Sequence, residues 1–181
     1  MTSQRVKRCR HSVRLHGYDY AQPGAYYITI CTHGRQCLMG DIEDGQVRLN
    51  DYGRIVHTEW TRCAEMRCNV ELDEFVVMPN HFHSILVIAD DPQGRGTVHR
   101  APTLEQFGRP VSGSLPTVVR YFKGSTTRRI NALRGTPGAP VWQRSYYEHV
   151  IRDEQDLREI REYIAHNPAK WDLDSENPSN L

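Results

Sequence analysis

The 181-residue chain lacks the features that would place it in a membrane. Its mean hydropathy is −0.65, and 38% of its residues are hydrophobic. No run approaches the ~18 consecutive apolar residues that a spanning helix requires. Basic residues near the N-terminus are not followed by an apolar stretch, so the pattern of a secretory signal is missing. The sequence therefore predicts a cytoplasmic protein without a membrane partner.

The chain also has few cysteines. There are five, an odd number, and no two of them form a C-x-x-C pair. Such spacing favours neither a disulfide framework nor a four-cysteine zinc site. We interpret the cysteines as thiols without a role in the chemistry of the protein.

Acidic residues are scarce in two blocks, although the formal net charge is only +1. Residues 1–16 hold five basic residues and no acid, and residues 92–147 hold nine basic residues and the single acid Glu105. The remaining blocks, 17–91 and 148–181, are acidic. This distribution predicts one positive face, as in nucleic-acid-binding proteins. On charge alone, a solvated surface or a sequence-neutral RNA binder explains it equally well.

The hydrophobic pattern predicts a single α+β domain. The order strand, helix, strand, strand, helix, helix is typical of a sandwich in which helices pack on one face of an antiparallel sheet. We expect a basic arm at 1–16, one domain at 17–171 with a long loop at 90–116, and a polar tail at 172–181. The predicted strands are 25–32, 70–77 and 81–88, with a short hairpin near 46–49 and an extended segment at 141–151; the predicted helices are 52–66, 117–133 and 153–166.

Two histidines on one strand form the first candidate site. In His81-Phe82-His83, residues i and i+2 point to the same side of a strand, so both imidazoles can approach one metal ion. A bare H-x-H is a weak signal. However, two histidines on one face of an apolar strand are costly to bury without partners. A metal site is therefore the favoured interpretation.

The last predicted helix supplies the second group of candidates. Tyr163 and Asn167 are four residues apart, so they lie on one helical face and can meet the same ion or phosphate. Taken alone, Tyr163 is better explained by core packing, because it flanks the apolar stripe Leu157, Ile160 and Ile164. A phenol with a pKa of ~10 is a poor nucleophile at neutral pH unless a cation is nearby. Together with the histidines, the pattern favours metal-assisted attack of Tyr163 on a phosphodiester.

These motifs resemble the REP-associated tyrosine transposases, a branch of the HUH single-tyrosine enzymes. The H-x-H stretch matches the HUH signature, and the segment around Tyr163 matches the nucleophile segment. The resemblance extends over about residues 17–171 in the family's order. The matching segments are Tyr26-Tyr27-Ile28-Thr29, Val76-Val77-Met78-Pro79-Asn80-His81-Phe82-His83-Ser84-Ile85-Leu86, Phe107-Gly108-Arg109-Pro110, Arg120-Tyr121-Phe122-Lys123, Trp142-Gln143, Glu148-His149-Val150-Ile151-Arg152 and Tyr163-Ile164-Ala165-His166-Asn167-Pro168.

The resemblance implies a ferredoxin-like fold and metal-dependent cleavage and rejoining of single-stranded DNA at hairpin-forming repetitive palindromic elements. It implies that Tyr163 forms a 5′-phosphotyrosine link, and that His81, His83 and Asn167 hold Mg²⁺ or Mn²⁺. His166 is a chemically stronger ligand than an amide, so it stays the alternative to Asn167. The protein is then expected to be nucleoid-associated, as a monomer or a homodimer.

The basic blocks are predicted to contact the DNA backbone and to give salt-dependent affinity. Tyr18 and Tyr20 are candidates to stack on unpaired bases. Two alternatives to the transposase stay open: a metal phosphodiesterase that uses water, and a catalytically silent DNA-hairpin-binding protein. The predicted DNA-contacting residues are Arg5, Lys7, Arg8, Arg10, Arg14, Arg120, Lys123, Arg128 and Arg129.

Overall fold

The computed structural model describes residues 18–90 and 111–180. The predicted basic arm and most of the predicted long loop lie outside these residues. No helix in the described ranges combines the length and the apolar character needed to cross a membrane. The strands are β1 Gly24–Cys31, β2 Gly40–Glu43, β3 Gln46–Leu49, β4 Val70–Val77, β5 His81–Ile88 and β6 Tyr147–Ile151, and the helices are α1 Asp51–Glu65, α2 Leu115–Arg134 and α3 Glu154–His166.

Four strands form an antiparallel sheet in the order β4-β5-β1-β6, and β2 pairs separately with β3 as a hairpin. The register of the central strands places Thr29 of β1 opposite both His83 of β5 and Tyr147 of β6. These three side chains therefore share one sheet face, because cross-strand partners point to the same side. The α+β class with an antiparallel sheet is confirmed.

The larger core lies on the other face of the sheet, under α1 and α2. Ile28 of β1 and Phe82 of β5 point into it and are fully buried. Trp60 of α1 and Phe122 of α2 meet Phe82 there, with ring centroids 5.1 and 5.2 Å from that of Phe82. This aromatic cluster fixes the two helices on the sheet.

The expectation that the helices share one sheet face is wrong for α3. A second, smaller core of Tyr27, Ile85 and Ile164 places α3 on the face opposite α1 and α2. The physical reason is that β5 is apolar at both its odd and its even positions, so each of its faces needs a cover. The partly buried Leu157 and Ile160 extend that cover along α3.

The start of α3 is set by a side-chain cap. The Asp153 carboxylate accepts a hydrogen bond of 2.9 Å from the backbone N–H of Asp156. Such a cap satisfies one of the N–H groups that the first turn of a helix leaves unpaired. The cap thereby fixes the register in which α3 presents Tyr163 and Asn167 over the sheet.

The segment predicted to be a polar tail packs back on the domain through residue 180. Asp174 and Asn177 are buried, and the Asn177 amide donates to the carbonyl oxygen of Trp171 at 2.9 Å. The Asn180 amide donates to the carbonyls of Asp172 and Asp174, both at 2.9 Å. The polar side chains of this segment satisfy its own backbone groups, so polarity here did not mean a free tail.

Replacement of Arg129 by alanine is expected to destabilise the fold by about 2–3 kcal/mol. Its guanidinium donates to Glu59, whose carboxylate is 1% exposed, at 2.6 Å, so the variant leaves a buried charge without its nearest partner. Arg62 at 3.9 Å offsets part of the loss. Urea unfolding measures the change. The exposed neighbour Arg128 is the control, because Arg128→Ala should change stability by less than about 0.5 kcal/mol. Equal effects of the two replacements would contradict this account.

Candidate metal centre and tyrosine site

His81 and His83 lie side by side at the start of β5, on the face that α3 covers. Their ring centroids are 4.5 Å apart, and the two residues are 0% and 2% exposed. The alternation of the strand produces this juxtaposition, as the sequence pattern predicts. The pair is thus placed at the bottom of a site between the sheet and α3.

Hydrogen bonds fix which ring nitrogen of each histidine holds a proton. His81 Nδ1 lies 2.8 Å from Asn80 Oδ1, an oxygen that can only accept, so Nδ1 carries the proton. The amide nitrogen of Asn80 is used to donate to the carbonyl of Glu176 at 2.7 Å, which agrees with this orientation. The Nε2 lone pair of His81 is therefore available to a ligand.

His83 is oriented in the same way by two hydroxyl groups of β1. Its Nδ1 lies 2.8 Å from the Tyr27 hydroxyl and 2.9 Å from the Thr29 hydroxyl. Since the Thr29 hydroxyl donates to Tyr27 at 3.0 Å, Thr29 can only accept from His83. In the tautomer with the proton on Nδ1, both hydroxyl oxygens accept from His83, and its Nε2 presents a lone pair.

Burial keeps both imidazoles neutral. It lowers the pKa of His81, although the nearby Asp174 carboxylate and Asn167 amide oppose the shift. Burial, together with the neighbouring His81, lowers the pKa of His83 well below its usual value. Neutral imidazole is the form that binds metal ions. The surroundings of His81 and His83 thus favour binding of a metal ion by the imidazoles over their protonation.

Asp174 and Asn167 complete the cluster from the chain that follows α3. Ligand atoms of His81, His83 and Asp174 all lie within 4.8 Å of one another. Asp174 Oδ2 lies 3.9 Å from His81 Nε2 and accepts a hydrogen bond of 2.9 Å from Asn167 Nδ2. Two imidazoles, a carboxylate and an amide oxygen are therefore gathered in one buried place.

The donor set fits a divalent metal ion. In the described part of the chain, His81 Nε2, His83 Nε2 and Asn167 Oδ1 are buried acceptors without a hydrogen-bond partner. Burying three such atoms together is unfavourable unless something pairs with them. A cation satisfies all three atoms at once. The fold therefore places His81, His83 and Asp174 in a buried cluster that can hold a metal ion.

Tyr163 stands beside the cluster, half exposed at 46%. Its ring centroid is 5.3 Å from that of His83 and 6.3 Å from that of Tyr27. Burial and the charge of Asp174 raise the pKa of the Tyr163 phenol, while hydrogen bonding by Tyr27 and Asn167 partly opposes this. The phenol needs a positive partner to ionise, and the cluster lies next to it.

The two candidates for the third ligand, Asn167 and His166, differ in their positions. Asn167 is buried against Asp174, one turn after Tyr163. His166 is exposed, and its Nδ1 pairs with the carbonyl of Glu162 at 2.8 Å. The predicted set His81, His83, Tyr163 and Asn167 is thus brought together, and His166 stays outside it.

Three residues of the site were not predicted from the sequence. Tyr27 and Thr29 alternate on β1, which indicates a shared face, but only the strand register shows that this face meets His83. Asp174 lies in a short polar segment in which no pattern distinguishes it from the other acids. Its position depends on how the chain turns after Pro168.

The predicted DNA-contacting residues of α2 differ in their surroundings. Arg120 and Arg128 are exposed, whereas Arg129 pairs with Glu59. Lys123 Nζ donates to the carbonyls of Gln143 and Arg144 at 2.6 and 3.1 Å, and burial lowers the pKa of Lys123 to about 8. Lys123 therefore holds the loop before β6. The arm residues Arg5, Lys7, Arg8, Arg10 and Arg14 lie outside the described residues.

The aromatic residues proposed to stack on bases are also placed differently from the prediction. Tyr20 is buried in the larger core, and Tyr18 packs against it with ring centroids 4.9 Å apart. The exposed tyrosines in the described ranges include Tyr147 and Tyr163, on the face of the metal cluster.

Replacement of Tyr27 by phenylalanine is expected to weaken Mn²⁺ binding by roughly 10–100-fold, the usual cost of losing a partner that orients a ligand. The variant removes one of the two oxygens that hold His83 Nδ1. Calorimetric titration of the folded protein measures the affinity. Tyr26→Phe is the matched control, because the Tyr26 hydroxyl bonds to the Gln22 carbonyl on the opposite sheet face. Equal affinities of the Tyr27→Phe and Tyr26→Phe proteins would contradict the assigned role.

Comparison with known proteins finds relatives by sequence and solved structures with a similar fold. A Haemophilus influenzae protein described as "Uncharacterized protein" is 40% identical over 168 residues, 91% of each chain. A second protein of that organism, "Putative REP-associated tyrosine transposase", is 24% identical over 152 residues, 84% of this chain and 74% of the other. No protein-family model matches the chain.

The solved structure of a REP-associated tyrosine transposase bound to a REP hairpin shares the fold. It has a TM-score of 0.51 and 19% identity over 82% of this chain and 68% of the other. The two proteins share the class of an α+β fold with a four-stranded antiparallel sheet, and in this chain the histidine pair of the central strand β5 faces the helix that carries Tyr163. The chain belongs to one family with the Haemophilus influenzae protein that is 40% identical to it. Its similarity to the REP-associated tyrosine transposases, which the ordered motifs predict, is confirmed by the sequence of one relative and by the fold of a solved structure.

Proposed function

We propose that this protein cleaves and rejoins single-stranded DNA next to hairpin-forming repeats, through a covalent bond to Tyr163. The observation that carries the proposal is the position of the half-exposed Tyr163 ring, 5.3 Å from that of His83, which belongs to the buried cluster with unpaired Nε2 atoms. A nucleophile beside a cation site is what phosphodiester transesterification requires. Similarity of the sequence to a putative REP-associated tyrosine transposase supports the same chemistry.

The reaction balances without an oxidant or a reductant. The Tyr163 phenol loses its proton to solvent, and its oxygen attacks the phosphorus of a phosphodiester. The bond from phosphorus to the 3′ oxygen breaks, and that oxygen takes up a proton to become a free 3′ hydroxyl. The 5′ phosphate stays attached to Tyr163. Rejoining is the reverse transfer of the phosphoryl group to a 3′ hydroxyl.

His81, His83, Asp174 and Asn167 would hold the metal ion. A bound Mg²⁺ or Mn²⁺ supplies Lewis acidity, which draws charge from the phosphate and favours the phenolate of Tyr163. Imidazole ligands favour Mn²⁺, and phosphate and water ligands suit Mg²⁺. Tyr27 and Thr29 orient His83, and Asn80 orients His81, so this chain presents the two Nε2 atoms in a fixed geometry.

Hairpin DNA is the proposed substrate class. The structural relative is bound to a REP hairpin, which supports the same partner for this protein. The stretch 111–147 holds six basic residues and no acidic one, and its arginines Arg120 and Arg128 are exposed. The proposal implies action on chromosomal DNA in the cytoplasm, by a monomer or a homodimer.

The test is covalent capture of the DNA. The protein is incubated with labelled single-stranded DNA that contains a hairpin from its own locus, in Mn²⁺, and then denatured. We expect a labelled band that migrates with the protein and disappears when a chelator is added first. Absence of this band with every hairpin of the locus would contradict the proposed activity.

A further inference from the structure

Helix α3 is held on the sheet by a narrower apolar surface than the other two helices. It lies wholly within the described range and has one buried residue, Ile164, whereas α1 has five and α2 has nine. Leu157 and Ile160 are only partly buried beside Ile164. Burial of apolar surface has no preferred direction, so a narrow stripe keeps a helix on a sheet without fixing its rotation about its own axis. Directional contacts are therefore needed to set the rotation of α3.

Arg161 of α3 makes a two-bond ion pair with Asp73 of β4. Its Nε donates to Asp73 Oδ1 at 2.8 Å, and its Nη2 donates to Asp73 Oδ2. A guanidinium that grips both oxygens of a carboxylate fixes the orientation of the two groups as well as their distance. The Arg161 guanidinium also holds the pKa of Asp73 below its usual value, so the carboxylate is charged at neutral pH.

An irregularity of β4 aims Asp73 at the helix. The register of β4 against β5 shifts between Leu72 and Phe75, so that Asp73 and Glu74 together lie opposite the single residue Ile85. Such a β-bulge re-aims a side chain and is common next to active sites. The Asp73 carboxylate also accepts a hydrogen bond of 2.7 Å from the backbone N–H of Glu74. Because Ile85 belongs to the small core under α3, the bulge lies directly beside the helix.

Arg161 and Tyr163 lie on opposite flanks of the apolar stripe of α3. At about 100° per residue, Arg161 lies about 60° to one side of Ile164 and Tyr163 about 100° to the other side. Asp156 is on the flank of Tyr163, and its carboxylate lies 2.8 Å from His149 Nε2 of β6. The helix is thus tied to β4 on one flank and to β6 on the other, the two edge strands of the sheet.

A small rotation of α3 would change the position of Tyr163. The side chains of a helix reach about 5–6 Å from its axis, so a rotation of about 20° moves their ends by about 2 Å. A displacement of about 1 Å can slow a reaction about a hundredfold. The Tyr163 ring centroid lies 5.3 Å from that of His83, whereas His81, His83 and Asp174 all lie outside α3. A rotation would therefore slow the attack by Tyr163 more than it would weaken metal binding.

We propose that Arg161 is a positioning residue: through its ion pair with Asp73 it fixes the rotation of α3 and thereby the place of Tyr163 beside the metal cluster. The inference rests on the proposed function for the identity of the reaction. Arg161 acts through the helix, because its guanidinium is bound to β4 on the flank away from Tyr163. A partly exposed ion pair adds little to overall stability, so its main effect is on orientation.

The first test measures the rate of adduct formation at saturating Mn²⁺ and hairpin DNA. In Arg161→Ala we expect this rate to fall about 10–100-fold, while the Mn²⁺ concentration for half the maximal rate changes less than about threefold. Arg158→Ala is the matched control, because Arg158 is an exposed arginine of the same helix, and its rate should stay within twofold. Arg161→Lys keeps the charge but loses the fork, so it should be nearly as slow as Arg161→Ala. A lysine variant with the original rate would overturn the proposal.

The second test asks whether Arg161 and Asp73 act as one unit. Asp73→Ala should slow adduct formation about as much as Arg161→Ala, because either replacement breaks the same pair. The double variant should then be no more than about twofold slower than either single variant. Effects that multiply in the double variant would assign the two residues independent roles and contradict the proposal.

The third test needs neither DNA nor activity. Hydrogen exchange of the backbone amides is compared among the original protein, Arg161→Ala and Arg158→Ala. We expect the α3 amides of Arg161→Ala alone to exchange at least about threefold faster, with those of α1 and α2 unchanged. Equal α3 exchange in the two variants, or faster exchange of all three helices in Arg161→Ala, would overturn the proposal. A protein that forms no adduct would still give this result, so failure of the proposed activity and failure of the anchor are distinguishable.

Discussion

Replacement of Tyr163 by phenylalanine is expected to abolish the covalent DNA adduct, with a loss of at least about a thousandfold in its rate of formation. The variant removes only the hydroxyl oxygen that would attack the phosphate. The ring contacts to His83 and Tyr27 are retained, and the half-exposed side chain leaves room for the change. Mn²⁺ affinity and hairpin affinity should therefore stay within about twofold of the original values.

Tyr147→Phe is the matched control for this experiment. Tyr147 is also about half exposed, lies on the same sheet face, and has its ring centroid 6.2 Å from that of Tyr27. It is not adjacent in sequence to any residue of the metal cluster. The adduct should form normally in this variant, because the proposed nucleophile is intact.

The possible results separate the competing functions. DNA cleavage without an adduct in Tyr163→Phe would indicate a phosphodiesterase that uses water. Hairpin binding without cleavage in the unmodified protein would indicate a catalytically silent binding protein. Loss of the adduct in Tyr147→Phe, with retention in Tyr163→Phe, would assign the nucleophile to β6 and contradict the proposal.

The part of the site that the sequence predicts is the part that local periodicity determines. His81 and His83 share a face because a strand alternates, and Tyr163 and Asn167 share a face because a helix repeats every 3.6 residues. Neither of these two predictions depends on a tertiary contact. The meeting of the two pairs follows from the packing of Ile164 on Tyr27 and Ile85, which the apolar stripe of α3 only suggests.

Features that depend on long-range packing were not predictable. The face that α3 covers depends on which side of the sheet α1 and α2 leave open. Asp174 is more than 90 residues from His81 along the chain, and the contact between them requires the turns after α3. Lys123 belongs to a basic block, yet its amine is tied to backbone carbonyls. Composition indicates the sign of a surface, but not which of its charges are free.

Mn²⁺ is expected to raise the Tm of the protein, and His83→Ala should eliminate the rise. A ligand at one hundred times its Kd stabilises a folded state by about 2.7 kcal/mol, which for a domain of this size corresponds to about 5–10 °C. His83→Ala removes one of the two buried Nε2 atoms that no described group pairs. The comparison is made within each variant, with and without metal, so that any loss of packing from the replacement cancels.

Asp174→Asn and His166→Ala test which further residues hold the ion. Asp174→Asn keeps the size of the side chain but removes the charge next to His81, and should reduce the rise in Tm by several degrees as Mn²⁺ affinity falls roughly 10–100-fold. His166→Ala should leave the rise unchanged, because that imidazole is exposed and pairs with the carbonyl of Glu162. A full rise in Asp174→Asn together with its loss in His166→Ala would move the site to the outer side of α3. A metal held within the buried cluster contacts the side of α3 that faces Asp174 and not the side of His166, so it responds to Asp174→Asn and not to His166→Ala.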